Sequence, residues 1–143
     1  MQARSPAHLY ATVAGGLLAV AGLAGFFYEA SFATGDPGLR SGELLGVIAV
    51  NGWANLLHLA CGLVLLAAAA AGSARSWALG FGLLFVVLAI WGFAGGEEIA
   101  GLIPSDLGAD VARLVLGLLG LGAGAASPEP QALDTAGGQP RPG

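Results

Sequence analysis

The sequence predicts an all-α protein: an integral membrane four-helix bundle built from two repeated transmembrane helical hairpins. Three observations predict it. Of 143 residues, 56% are apolar and 10% are charged, against roughly 25% charged in an ordinary soluble domain. Four apolar runs each approach the ~20 helical residues that cross a hydrocarbon core of ~30 Å. The chain also aligns with itself when shifted by 55 positions. Mean hydropathy is +0.78, and Ala (29), Gly (25) and Leu (25) dominate the composition. A soluble chain so poor in charge could not cover its own surface. Continuous apolar runs favour helices over strands, and a helix satisfies its own backbone inside lipid.

The first span is expected over residues 8–28. Ser31-Phe32-Ala33 resembles a small-residue cleavage site. However, the apolar stretch of residues 9–27 is longer than the ~7–15 residues of a signal core, so the span is read as retained. The link over residues 29–51 is the longest and carries the turn Gly35-Asp36-Pro37-Gly38. The second span (52–71) and the third (76–94) are joined by residues 72–75, short enough to make the middle helices an antiparallel hairpin. The third link holds Gly95, Gly96, Glu97, Glu98 and Pro104. The fourth span covers 107–126 and completes a transmembrane domain over residues 1–126. Residues 127–143 are rich in Pro, Gly and Gln with nothing to bury, and read as a disordered cytoplasmic tail.

Arginine placement orients the bundle. Arg4, Arg75 and Arg141 fall on one side, while Arg40 falls on the other with Arg113 just inside the fourth span. The positive-inside rule then places the chain in the cell membrane with both termini cytoplasmic. Trp53, Trp77 and Trp91 lie near span ends, as interfacial anchors do. Net charge is −4, with five arginines and no lysine. That balance excludes nucleic acid as an expected partner.

At the shift of 55, residues 46–66 overlay 101–121 with seven of 21 pairs identical, among them Gly62/Gly117 and Leu59/Leu114. Asn51/Asp106, Asn55/Asp110 and His58/Arg113 are polar in both copies. The first and third spans align at an offset of 67 through Ala11/Ala78, Gly15/Gly82, Gly25/Gly92 and Phe26/Phe93. One stripe runs along the second span through Asn51, Asn55, His58, Gly62, Leu65 and Ala69. Its counterpart on the fourth runs through Asp106, Asp110, Arg113, Gly117, Gly120 and Gly124. Steps of four and three hold each stripe on one helix face. Both stripes are expected to face the bundle centre, polar in the outer half and closely packed at glycine in the inner half. A comparable stripe on the first span is His8, Thr12, Gly15, Ala19, Gly22, Phe26 and Glu29. Asn51 and Asp106 sit where helix N-caps belong.

The run Val50-Asn51-Gly52-Trp53-Ala54-Asn55-Leu56-Leu57-His58-Leu59 with Gly62, and Leu102-Ile103-Pro104 through Leu114 and Gly117, resemble the two signatures of a bacterial membrane family. That family is the domain of unknown function 4383, common in actinobacteria. The resemblance covers roughly residues 8–126 and implies four membrane helices with no established activity. In that family a His usually follows the first tryptophan, where this chain has Ala54. The second signature usually carries Asn, Asp-Asn and Leu-His, where this chain has Asp106, Ala109-Asp110 and Ala112-Arg113.

Ionisable residues within a span are candidates for function. His58 and Arg113 lead, in a cluster with Asn51, Asn55, Asp106, Asp110 and Glu29. A buried Arg113 needs acceptors. Asp110, three residues earlier, is the first candidate and Glu29 the second. Asn55 or Asp110 is expected to accept a proton from His58. No catalytic residue, metal or cofactor is expected. His8 lies near the cytoplasmic edge and His58 in the outer half, so they cannot face one haem iron; arginine does not ligate, and zinc lacks four clustered ligands. Cys61 reads as a small apolar filler. The expectation is a structural or interaction component of the bacterial membrane. Its expected partners are the bilayer and a second copy or another membrane protein. Two alternatives stay open: a small transport or proton-handling unit using the outer polar cluster, and a redox subunit carrying haem or quinone.

Overall fold

The computed structural model describes residues 5–35 and 38–128. Expectations placed on Arg4, Asp36, Pro37, Arg141 and residues 129–143 lie outside the described residues. The described residues form four helices, each long and apolar enough to cross a membrane: α1 (Pro6–Gly25), α2 (Gly52–Ala70), α3 (Ala74–Gly95) and α4 (Leu107–Ala125). Two short antiparallel β-hairpins accompany them. In one, β1 (Gly42–Leu44) pairs with β2 (Ile48–Val50). In the other, β3 (Glu98–Ile99) pairs with β4 (Ile103–Pro104).

Local chemistry explains the helix ends. α1 begins two residues earlier than expected because Ser5 caps it, its side chain accepting from the His8 N–H at 3.2 Å, with Pro6 at the first helical position. α1 also ends earlier, at Gly25, and residues 26–28 form a turn. Asn51 caps α2 and Asp106 caps α4. α2 stops where Gly72 takes a φ of 75° and the Ser73 N–H bonds back to the Ala68 carbonyl at 3.0 Å. That six-to-one closure satisfies an otherwise free carbonyl. Arg75, expected in the short link, stands in the first turn of α3.

The two hairpins were not expected. Each turns through consecutive residues at positive φ: Leu45 (56°) and Gly46 (71°) in one, Ala100 (54°) and Gly101 (69°) in the other. Such turns match the twist of paired strands and ordinarily favour Asn-Gly or Asp-Gly. Leu and Ala in the left-handed region hide them from a sequence reading. The first link also reaches the second hairpin, where the Gly35 N–H donates to the Gly101 carbonyl at 2.9 Å.

α1 packs chiefly against α2, and α3 chiefly against α4, with lighter contact between these pairs. The short α2–α3 connection joins these two pairs. Close approach is possible because the inside is small. The core gathers Ala7, Ala11, Ala14 and Leu18 with Cys61, Leu65, Ala78 and Phe85. Large apolar side chains point outward, including Leu17, Val20, Leu83, Ile90 and Leu118. In water that surface would be a liability. In hydrocarbon it costs nothing, and small interfacial residues are how membrane helices gain packing. On α1 the best-buried line is Ala7, Ala11, Ala14 and Leu18. Of the expected α1 stripe, Gly15 and Gly22 are buried while His8, Thr12, Ala19, Phe26 and Glu29 are half-buried.

Ser127, expected to start the tail, is buried. Its hydroxyl accepts from the Ala7 N–H and donates to the Ala123 carbonyl, both at 2.8 Å. Its carbonyl accepts from Arg75 Nε at 3.2 Å. These bonds satisfy a free N–H in the first turn of α1 and tie Ser127 to the helix ends.

Candidate functional site

The polar residues of the two stripes gather at the hairpin end of the bundle. Asn51 is fully buried. Its Oδ1 accepts from the Ala54 N–H at 2.9 Å, and its Nδ2 donates to the Leu102 carbonyl in the second hairpin at 2.7 Å. Asp106 accepts from the Ala109 N–H at 2.6 Å and from the Ala49 N–H in the first hairpin at 2.8 Å. Each cap thus ties its helix to the opposite hairpin.

One turn deeper, Asp110 and Arg113 form the expected pair: Arg113 Nη1 donates to Asp110 Oδ1 at 2.6 Å, with both side chains about 5% exposed or less. Ser105 Oγ lies 2.8 Å from both carboxylate oxygens, and Arg113 Nη2 donates to the Pro104 carbonyl at 3.0 Å. A buried ion pair is stable only when remaining donors and acceptors are met. Ser105 supplies a donor to the carboxylate and Pro104 an acceptor to the guanidinium. Neither was singled out from sequence, although both directly precede the Asp106 cap.

Asn55 is fully buried, and its Nδ2 donates to the Glu29 carbonyl at 2.8 Å. Asn55 packs over Gly25 and Asp110 packs over Gly92: a Cβ at either glycine would overlap the polar side chain. The sequence alignment matched Gly25 with Gly92 without revealing what each accommodates.

Two expectations are corrected. The Glu29 carboxylate does not reach Arg113; it accepts from the Ser31 N–H at 2.8 Å, closing a local turn. Nor does Asn55 or Asp110 accept from His58: Asn55 Oδ1 and His58 Nδ1 are both buried without a partner. The Asn55 amide is drawn toward Glu29, and Asp110 is engaged by Ser105 and Arg113.

In the inner half, the glycine positions are contact points. A Cβ on Gly62 would meet the Gly15 carbonyl at 2.7 Å, and one on Gly117 would meet the Gly82 carbonyl at 2.9 Å. At Gly120 it would lie 2.8 Å from Tyr10 Oη, and at Gly124 2.5 Å from the Leu79 side chain. Tyr10 Oη itself donates to the Leu116 carbonyl at 3.0 Å, bonding α1 to α4. At the interface end, Trp53 Nε1 donates to the Phe32 carbonyl at 3.0 Å and the two rings meet edge to face. Among the described residues, no three His, Cys, Asp or Glu side chains gather as metal ligands.

Four apolar helices, small inside and large outside, with their polar residues drawn inward at one end, define a small multi-pass membrane protein. The chain belongs to the family described as Domain of unknown function (DUF4383), whose sequence profile matches residues 8–126. No curated protein and no solved structure matches the chain.

Proposed function

We propose that this chain is a structural or interaction component of the bacterial cytoplasmic membrane. In this reading it is a transmembrane bundle of two repeated helical hairpins, with both termini cytoplasmic and no catalytic role. The observation that carries the reading is the engagement of Asn51, Asp106, Asp110 and Arg113 by the fold itself. Asn51 and Asp106 each cap one helix and hold the opposite hairpin. The Asp110–Arg113 pair is closed by Ser105 and Pro104. These groups set helix register and leave their hydrogen-bonding capacity inside the protein.

The repeat is supported by the matched glycine contacts, Gly15 with Gly62 and Gly82 with Gly117, and by positive-φ turns 55 residues apart. The orientation is supported by Arg75, which stands at the bundle end opposite the hairpins. The bilayer is one partner, and a second copy or another membrane protein is the other; nucleic acid is not one.

Purification in mild detergent followed by mass spectrometry tests the role. A protein partner or a second copy should co-elute at fixed ratio, and recovery of a stoichiometric chromophore or solute instead would overturn the reading. Reporter fusions after Gly143 and at Gly38 test the orientation. They should report a cytoplasmic C-terminus and an external first link.

A further inference from the structure

The first half of the chain leaves two buried polar atoms without partners, Asn55 Oδ1 and His58 Nδ1. They belong to residues three apart, which share one helix face. At the 55-residue shift they align with Asp110 and Arg113, whose Oδ1 and Nη1 bond directly at 2.6 Å. The carboxamide and the carboxylate occupy corresponding places, since each lies over a glycine of the neighbouring helix, Gly25 or Gly92. The difference is reach. An imidazole is several atoms shorter than an arginine side chain and stops short of the oxygen that a guanidinium touches. Asn55 cannot close the gap, because its Nδ2 is held by the Glu29 carbonyl at 2.8 Å. Buried polar groups in protein interiors are met by protein or by ordered water, and a water needs two or more polar partners and room.

We propose that Asn55 Oδ1 and His58 Nδ1 form a binding site for one small protic molecule of water's size, which donates to the asparagine oxygen and bonds the imidazole nitrogen. Water is the occupant in the resting protein. The second half needs no such guest, because Arg113 fills the corresponding space.

The test is nitrogen-15 NMR of the full chain in detergent or nanodiscs. In the unmodified protein, the His58 Nδ1 shift should be that of a hydrogen-bonded nitrogen, and its ring protons should show a cross-peak to slowly exchanging water. Asn55→Leu should abolish the water cross-peak while the helices persist. A free Nδ1 without water contact in the unmodified protein overturns the proposal. So does a through-hydrogen-bond coupling that joins His58 directly to Asn55. Because the unmodified protein alone distinguishes these outcomes, a variant that fails to fold does not shield the proposal.

Discussion

Asn51 and Asp106 cap α2 and α4 at positions 55 residues apart, yet they hold the opposite hairpins in opposite senses. Asn51 donates to a carbonyl, that of Leu102, whereas Asp106 accepts from an N–H, that of Ala49. The reason is chemical. The residue aligned with Ala49 is Pro104, which has no N–H for Asn51 to accept. An ionised aspartate, in turn, has no donor to offer a carbonyl.

Exchanging the cap chemistry should therefore be costly on both sides. In Asn51→Asp, a buried carboxylate would face the Leu102 carbonyl with no proton between them. In Asp106→Asn, an NH₂ would face the Ala49 N–H. We expect each to lower stability by about 1–3 kcal/mol, the cost of an unsatisfied buried group. Asn51→Asp should cost more because it adds a buried charge. Thermal unfolding in detergent reads both, and equal stability to the parent would show that the cross-ties are unimportant.

The Asp110–Arg113 pair should behave as a unit. Arg113→Leu alone strands a buried carboxylate and should cost about 3–5 kcal/mol, while replacing both residues with apolar ones should cost less. The double-mutant cycle gives the coupling energy. A value indistinguishable from zero would show that the two do not stabilise each other. Ser105→Ala removes one donor from Asp110 and should cost roughly 1–3 kcal/mol.

Glycine replacements should sort by what lies over them. Gly25→Ala and Gly92→Ala push a methyl into Asn55 and Asp110, and overpacking of this kind costs roughly 1–3 kcal/mol. Gly16→Ala meets nothing within 4 Å and should be neutral or stabilise by up to about 1 kcal/mol. Gly120→Leu should lower the melting temperature well below that of Leu119→Ala, because Leu119 is 58% exposed. If Gly16 and Gly25 respond alike, the approach of α1 to Asn55 is not a constraint on the fold.

Ser127→Ala should loosen the start of α1. The Ala7 N–H loses its acceptor, while the Arg75 bond to the Ser127 backbone carbonyl survives. Hydrogen exchange at Ala7 should accelerate roughly five- to ten-fold, the equivalent of about 1 kcal/mol for one hydrogen bond, with little change in α3. Unchanged exchange would mean the hydroxyl is not the restraint.

The spans were legible in the sequence because an apolar run of that length has one way to satisfy its backbone in lipid. The caps were legible too, since Asn51 and Asp106 stand at the polar edge of such runs, as was the Asp110–Arg113 pairing from its spacing of three. Ser5-Pro6 carried a readable start signal that places α1 two residues earlier than hydropathy does. Tertiary structure alone decided the rest. Leu45 and Ala100 adopt left-handed turns that their own preferences oppose, so strand pairing and docking onto the helices must hold them there. Glu29 and Asn55 found each other, and not Arg113 or His58, because helix packing over Gly25 set which groups come within 3 Å. Apolar length is a property of a segment and can be read along the chain. Hydrogen-bond partnership depends on distances between segments, which only the packed bundle specifies.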